Sequence, residues 1–88
     1  MRTAHDPSMG LSHALREERV RRGHSQAQAA DEIGTSQPNV GRWESGQSIP
    51  DPPWYEPLMR YLSVDRATLG LYLLRSNELK HQRRGQRE

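Results

Sequence analysis

Between Gly34 and Gly46 the chain reads GTSQPNVGRWESG, and two groups in it carry recognition chemistry: the Gln37 amide and the Arg42 guanidinium. Val40 and Trp43 are the apolar pair that a helix here would turn inward. At about 100° per residue, the opposite direction is occupied by Pro38, Arg42 and Ser45, with Gln37 and Gly41 flanking it. No acid lies on that surface. A guanidinium pairs bidentately with guanine, an amide pairs with adenine, and an apolar ring such as Pro38 can meet a thymine methyl. The chemistry on offer is therefore that of base edges in a major groove. Pro38 forbids a polar contact at its own position, so DNA shape would supply part of any specificity. Glycine costs about 1 kcal/mol relative to alanine inside a helix. Either the missing side chain at Gly41 lets the helix approach a groove closely, or the position tolerates the loss.

Two short helices must hold these residues. Ser25 and Gln28 have the spacing of a capping box, which starts a helix at Gln26. Ala29, Ala30 and Ile33 give that helix a small apolar stripe, and Gly34 follows where a helix leaves through a left-handed residue. Ser36 can cap the next helix, with Gln37 and Pro38 in its first turn, where a missing proline N–H is harmless. Gly46 closes it. A pair of short helices joined by a tight glycine-containing turn is a helix-turn-helix. At Gln26, free backbone donors and the positive end of the helix dipole favour a phosphate.

Ser25-Gln26, Ala30, Gly34, Ser36, Val40, Arg42-Trp43-Glu44 and Gly46 together resemble the phage repressor and Cro-type, XRE-like helix-turn-helix family, and the spacing fits without a gap from about Leu11 to Leu69. The resemblance implies an all-α fold, a compact five-helix lambda-repressor-like domain with the helix-turn-helix at helices 2 and 3. It implies double-stranded DNA as partner, with Gln26 on the DNA backbone. Ser36, Asn39, Ser45 and the Gly46-Gln47-Ser48 backbone would hold phosphates on either side of the groove, contacts that position without reading sequence. It also implies that Arg19 pairs with Glu44 as scaffold. Three positions depart from the family pattern: Glu18, His24 and Ala29 stand where leucine is usual. The core is correspondingly smaller, and either Glu18 and His24 compensate each other or helix one shifts to expose both.

Eighty-eight residues suit one small domain, and a hydrophobic content of 32% with no Phe implies a thin core. Mean hydropathy is −1.04. Residues 1–10 read as a disordered N-terminal arm, 11–76 as the DNA-binding domain and 77–88 as a basic C-terminal tail. Leu11, Ala14 and Leu15 mark one face of a first helix that stops at Gly23. Pro50, Pro52, Pro53 and Pro57 make the approach to a fourth helix irregular, with Asp51 as candidate cap and a kink or late start near Trp54. Tyr55, Leu58, Met59 and Leu62 are its expected core face. Val64 enters the core, and Asp65 caps a fifth helix from Arg66. Leu69, Leu71, Tyr72, Leu73 and Leu74 then fall on several sides of one helix, more than a small domain can cover. A symmetric homodimer is the simplest closure, and two recognition helices about 34 Å apart would match a palindromic operator.

The charge balance favours acidic partners. Net charge is only +2, but Arg16, Arg19, Arg21 and Arg22 cluster before the motif, and Lys80, Arg83, Arg84 and Arg87 crowd the end of the chain. There is no cysteine, the four histidines are scattered without metal-ligand spacing, and no serine sits in a nucleophile elbow. No catalytic residue, metal or cofactor is expected. No segment is apolar enough for a signal peptide or membrane span, so a cytoplasmic, nucleoid-associated protein is expected. These observations point to a sequence-specific transcriptional regulator, a dimeric repressor of phage or mobile-element type. The Ser36-Gln37-Pro38 stretch is also similar to that of antitoxins with this fold, which bind a protein partner and use DNA for autoregulation.

Overall fold

In the computed structural model, residues 10–87 are described, with side chains to residue 78. Five α-helices follow one another: α1 (Leu11–Arg21), α2 (Gln26–Ile33), α3 (Gln37–Ser45), α4 (Tyr55–Leu62) and α5 (Arg66–Arg87), with a 3-10 turn at Pro52–Trp54 before α4. Among the described residues there is no strand. The first nine residues, read above as an arm, and Glu88 lie outside the described residues, while the backbone of the basic 77–87 segment continues α5.

Local chemistry sets these boundaries. Ser25 Oγ accepts from Gln28 N at 3.1 Å, and Ser25 N donates to Gln28 Oε1 at 2.8 Å, which completes the capping box. Gly34, at φ 92°, closes α2, because its own N–H and that of Thr35 both reach the Ala30 carbonyl only from a left-handed turn. Ser36 Oγ caps α3 through Asn39 N at 3.3 Å, and Gly46, at φ 80°, ends it. Asp65 Oδ1 accepts from Thr68 N at 2.9 Å and starts α5. That bond holds the Asp65 carboxyl below its ordinary value. Asp51, by contrast, makes no capping bond, because the Pro52-Pro53 pair turns the chain through a 3-10 turn first. The α-helix begins only at Tyr55, which leaves Pro57 in its first turn, where a missing N–H is tolerated.

The core gathers Leu11, Ala14 and Leu15 of α1, Ala29, Ala30 and Ile33 of α2, Val40 and Trp43 of α3, Leu58, Tyr61 and Leu62 of α4, and Leu69 and Tyr72 of α5. The alanines of α2 let α3 lie close across it. Two expectations change here. The fully buried face of α4 is Leu58, Tyr61 and Leu62; Tyr55 and Met59 are only half-buried against it. Leu69 and Tyr72, expected at a dimer interface, are 1% and 0% exposed within the single chain, because α5 lays that face on α1 and α4. Of the proposed dimer residues, Leu73 is half-buried, and only Leu71 and Leu74 are exposed, at 47% and 58%.

Glu18 is the polar member of the core, 3% exposed. Arg21 donates to it from two nitrogens, and Arg22 Nε lies 2.7 Å from Oε2. Arg22 Nη2 continues to the Tyr61 carbonyl at 2.6 Å, its guanidinium 4.4 Å from the centre of the Tyr61 ring. His24 Nδ1 meets the Tyr61 hydroxyl at 2.9 Å. Glu18 and His24 are therefore neither paired with each other nor both exposed. Each reaches α4 by its own route, Glu18 through Arg22 and His24 directly, and polar bonds stand where leucine side chains would have packed.

Burial pushes the Glu18 carboxyl up, but the hydrogen bonds from Arg21 and Arg22 outweigh it and hold the group below its ordinary 4.5. A depressed folded pKa contributes stability above the unfolded value and loses it as pH falls through the folded one. Thermal unfolding followed from neutral pH to below about pH 4 should thus show a steeper acid loss in the wild type than in Glu18→Leu. At neutral pH, Glu18→Leu should be less stable than the wild type, because it removes one member of the ion-pair set and leaves Arg22, its side chain only 30% exposed, without its carboxylate. Glu18→Ala, which leaves a cavity, should lose about 2–3 kcal/mol. Equal acid slopes in wild type and Glu18→Leu would remove the carboxylate from this account.

Candidate nucleic-acid interface

Val40 and Trp43 anchor α3, with the Trp43 ring 6.0 Å from that of Trp54. The opposite surface is then fixed by helix geometry, and Gln37, Pro38, Arg42 and Ser45 are exposed on it together, with Gly41 half-exposed beside them. This is the set of residues the spacing placed outward.

Glu44 belongs to the same helix but faces away from this surface. Arg19 Nε approaches its Oε2 at 2.6 Å and Arg19 Nη2 its Oε1 at 3.1 Å, a bidentate pair in which the carboxylate is 6% exposed. The Glu44 hydrogen bond raises the Arg19 pKa. Arg19 Nη1 also donates to the His24 carbonyl at 3.0 Å, which ties α1 to the start of α2. The one acid of α3 is thereby withdrawn and neutralised, and the outward face keeps only amide, ring, hydroxyl and guanidinium groups.

The residues read as phosphate contacts divide. Ser36 accepts the capping bond and retains its own hydroxyl hydrogen for an anion. The Gln47 side chain is exposed. Gln26 sends its Nε2 to Glu44 Oε1 at 3.1 Å, so what its position offers a phosphate is the open backbone N–H groups of the first turn of α2. Ser45 Oγ donates to the Arg42 carbonyl at 3.2 Å, leaving lone pairs that would repel a phosphate. The Gly46-Gln47-Ser48 backbone, expected to hold phosphates, is engaged instead in closing α3. Gly46 N lies 3.4 Å from the Trp43 carbonyl, and Gln47 N and Ser48 N reach the Arg42 carbonyl at 3.0 and 3.4 Å. Asn39 donates from Nδ2 to Thr35 Oγ1 at 2.9 Å and accepts from Arg42 Nη2 at 3.1 Å. Its side chain thus joins the turn before α3 to Arg42 on the outward surface. The Asn39 to Arg42 spacing, i to i+3, was visible in the sequence; nothing in the position of Thr35, before the cap, marked it.

A family model described as a helix-turn-helix domain matches residues 11–70, from the first residue of α1 into α5. The chain belongs to this helix-turn-helix family. This helix-turn-helix protein is accordingly a DNA-binding one, and α2 and α3 are the motif that names the family. No curated protein matches the chain. Among the described residues, no helix is long and apolar enough to cross a membrane.

Gly41 offers a direct test of the outward face. A Cβ built there would meet only Gln26 Oε1, at an ordinary 3.5 Å, so the fold has room for it. Gly41→Ala should raise stability by about 0.5–1 kcal/mol in thermal unfolding and yet weaken duplex binding measured by fluorescence anisotropy. Unchanged affinity would mean that the helix does not approach DNA along this side.

Proposed function

We propose that this helix-turn-helix protein is a sequence-specific transcriptional regulator, a dimeric repressor without catalytic chemistry that acts in the cytoplasm by occupying a palindromic operator. The observation that carries the reading is the sidedness of α3: Gln37, Pro38 and Arg42 are exposed together, while Glu44 is turned away onto Arg19. The resemblance to phage repressors and Cro-type proteins supports repression by occupancy. Gln37, Pro38 and Arg42 face base edges, and Ser36, Gln47 and the mouth of α2 meet the backbone. Leu71 and Leu74, exposed on consecutive turns of α5 just beyond the stretch matched by the family, supply the dimer contact.

Selection of bound duplexes from a random pool tests the groove reading. The wild type should yield a palindromic motif, and Arg42→Ala should lose information at one symmetric base position, at a cost of about 1–3 kcal/mol. Binding without a motif, weakening steeply with salt, would overturn sequence-specific recognition and turn attention to a protein partner. Sedimentation tests the dimer separately. Leu71→Asp with Leu74→Asp should shift the protein toward monomer and weaken operator binding without lowering the monomer's unfolding temperature. A wild type that sediments as a monomer both free and on DNA would remove the dimer from the proposal.

A further inference from the structure

The geometry points to Asn39 as a positioning residue that sets the specificity of Arg42, with Thr35 as its anchor. The inference rests on the reading of α3 as a groove-facing helix and adds to it how the arginine is aimed. Asn39 Nδ2 donates to Thr35 Oγ1 at 2.9 Å, and Asn39 Oδ1 accepts from Arg42 Nη2 at 3.1 Å. These two bonds fix the orientation of the amide, because the reverse orientation would set its NH2 against the guanidinium, donor against donor.

Thr35 and Asn39 are each held through their own backbone N–H. Thr35 N is bonded to the Ala30 carbonyl at 2.9 Å, in the turn that closes α2. Asn39 N is bonded to Ser36 Oγ at 3.3 Å, in the cap that opens α3. The Arg42 side chain therefore leans toward the start of α3 and is referred to the turn between the two helices, rather than sweeping the solvent. Its bond to Asn39 uses one of five guanidinium donors. Whichever Nη2 hydrogen is used, a pair of adjacent donors stays available for guanine O6 and N7. A carboxylate at position 39 would hold the arginine too, but it would cancel its charge and repel the phosphates nearby. The neutral carbonyl orients without either effect. An arginine already held in this way loses less side-chain freedom on binding, and a base displaced from its line meets a weaker partner.

The test is the same random-pool selection, followed by affinity measurements on the selected duplex and on its variant at the Arg42-dependent base, for wild type, Asn39→Ala, Thr35→Val, Arg42→Ala and the Asn39→Ala/Arg42→Ala double variant. The preference for the selected base should fall on the order of tenfold in Asn39→Ala and by less in Thr35→Val, with the unfolding temperature unchanged. In the Arg42→Ala background, adding Asn39→Ala should change nothing further, since the asparagine acts only through the arginine. If Asn39→Ala weakens all duplexes alike, with a shallower salt dependence, and does so equally without Arg42, the residue is a phosphate contact and the inference is overturned. A wild-type motif that does not depend on Arg42 also overturns it, while leaving DNA recognition standing. A wild type that selects no motif overturns both.

Discussion

The attitude of α3 depends on one carboxylate. Glu44 receives Arg19 on both oxygens and Gln26 on one of them, so a single group joins α1, α2 and α3. A half-buried pair of this kind adds little net stability over well-packed apolar groups, but removing one partner strands the other's charge and costs about 3–5 kcal/mol when burial is complete. Its value is geometric. The planar fork of a guanidinium on a carboxylate fixes direction as well as distance, whereas Val40 and Trp43 alone would fix depth and leave α3 freer to roll. Because the acid is held inward, the surface on the other side of the helix is left without negative charge, and recognition chemistry follows from that placement.

At the C-terminal end of α1 a second set of polar bonds takes the place of apolar volume. Glu18 draws in Arg21 and Arg22, and Arg22 reaches the carbonyl of Tyr61 and lies over its ring. His24 meets the same tyrosine through its hydroxyl. A chain with no Phe and 32% hydrophobic residues joins α1 to α4 in this way, with directional bonds where leucines would have packed by shape. The helix that carries Arg19 is thus pinned at both sides: toward α3 by Glu44 and toward α4 by Tyr61.

The parts of this molecule that were legible in the sequence are those decided within a few residues. The capping box at Ser25, the left-handed exits at Gly34 and Gly46, the cap at Asp65 and the outward set Gln37, Pro38 and Arg42 all follow from local spacing. The Arg19–Glu44 pair came from family resemblance and is present in the structure. What local spacing did not decide was partnership across the fold. Tyr61 and Tyr72 have polar atoms and apolar bodies, and only the packing of α4 and α5 shows that both rings are buried. Glu18 stands where leucine is usual, which left pairing with His24 and exposure both open, and only the fold shows Arg22 bridging it to α4. Asn39 has a side chain that suits a phosphate or an arginine equally, and the choice depends on Thr35, which belongs to the turn and not to the helix.

The first turn of α1 is capped from the far end of the domain. Gly10 has no side chain to offer, and Leu11 N donates at 2.6 Å to the hydroxyl of Ser76, a residue of α5. The free donors at a helix start are ordinarily satisfied by a neighbour in sequence. Here the neighbour is 65 residues away. Opening of the α5 turn that holds Ser76 therefore removes the cap from the start of α1, which couples the two ends although the chain between them folds from short-range signals.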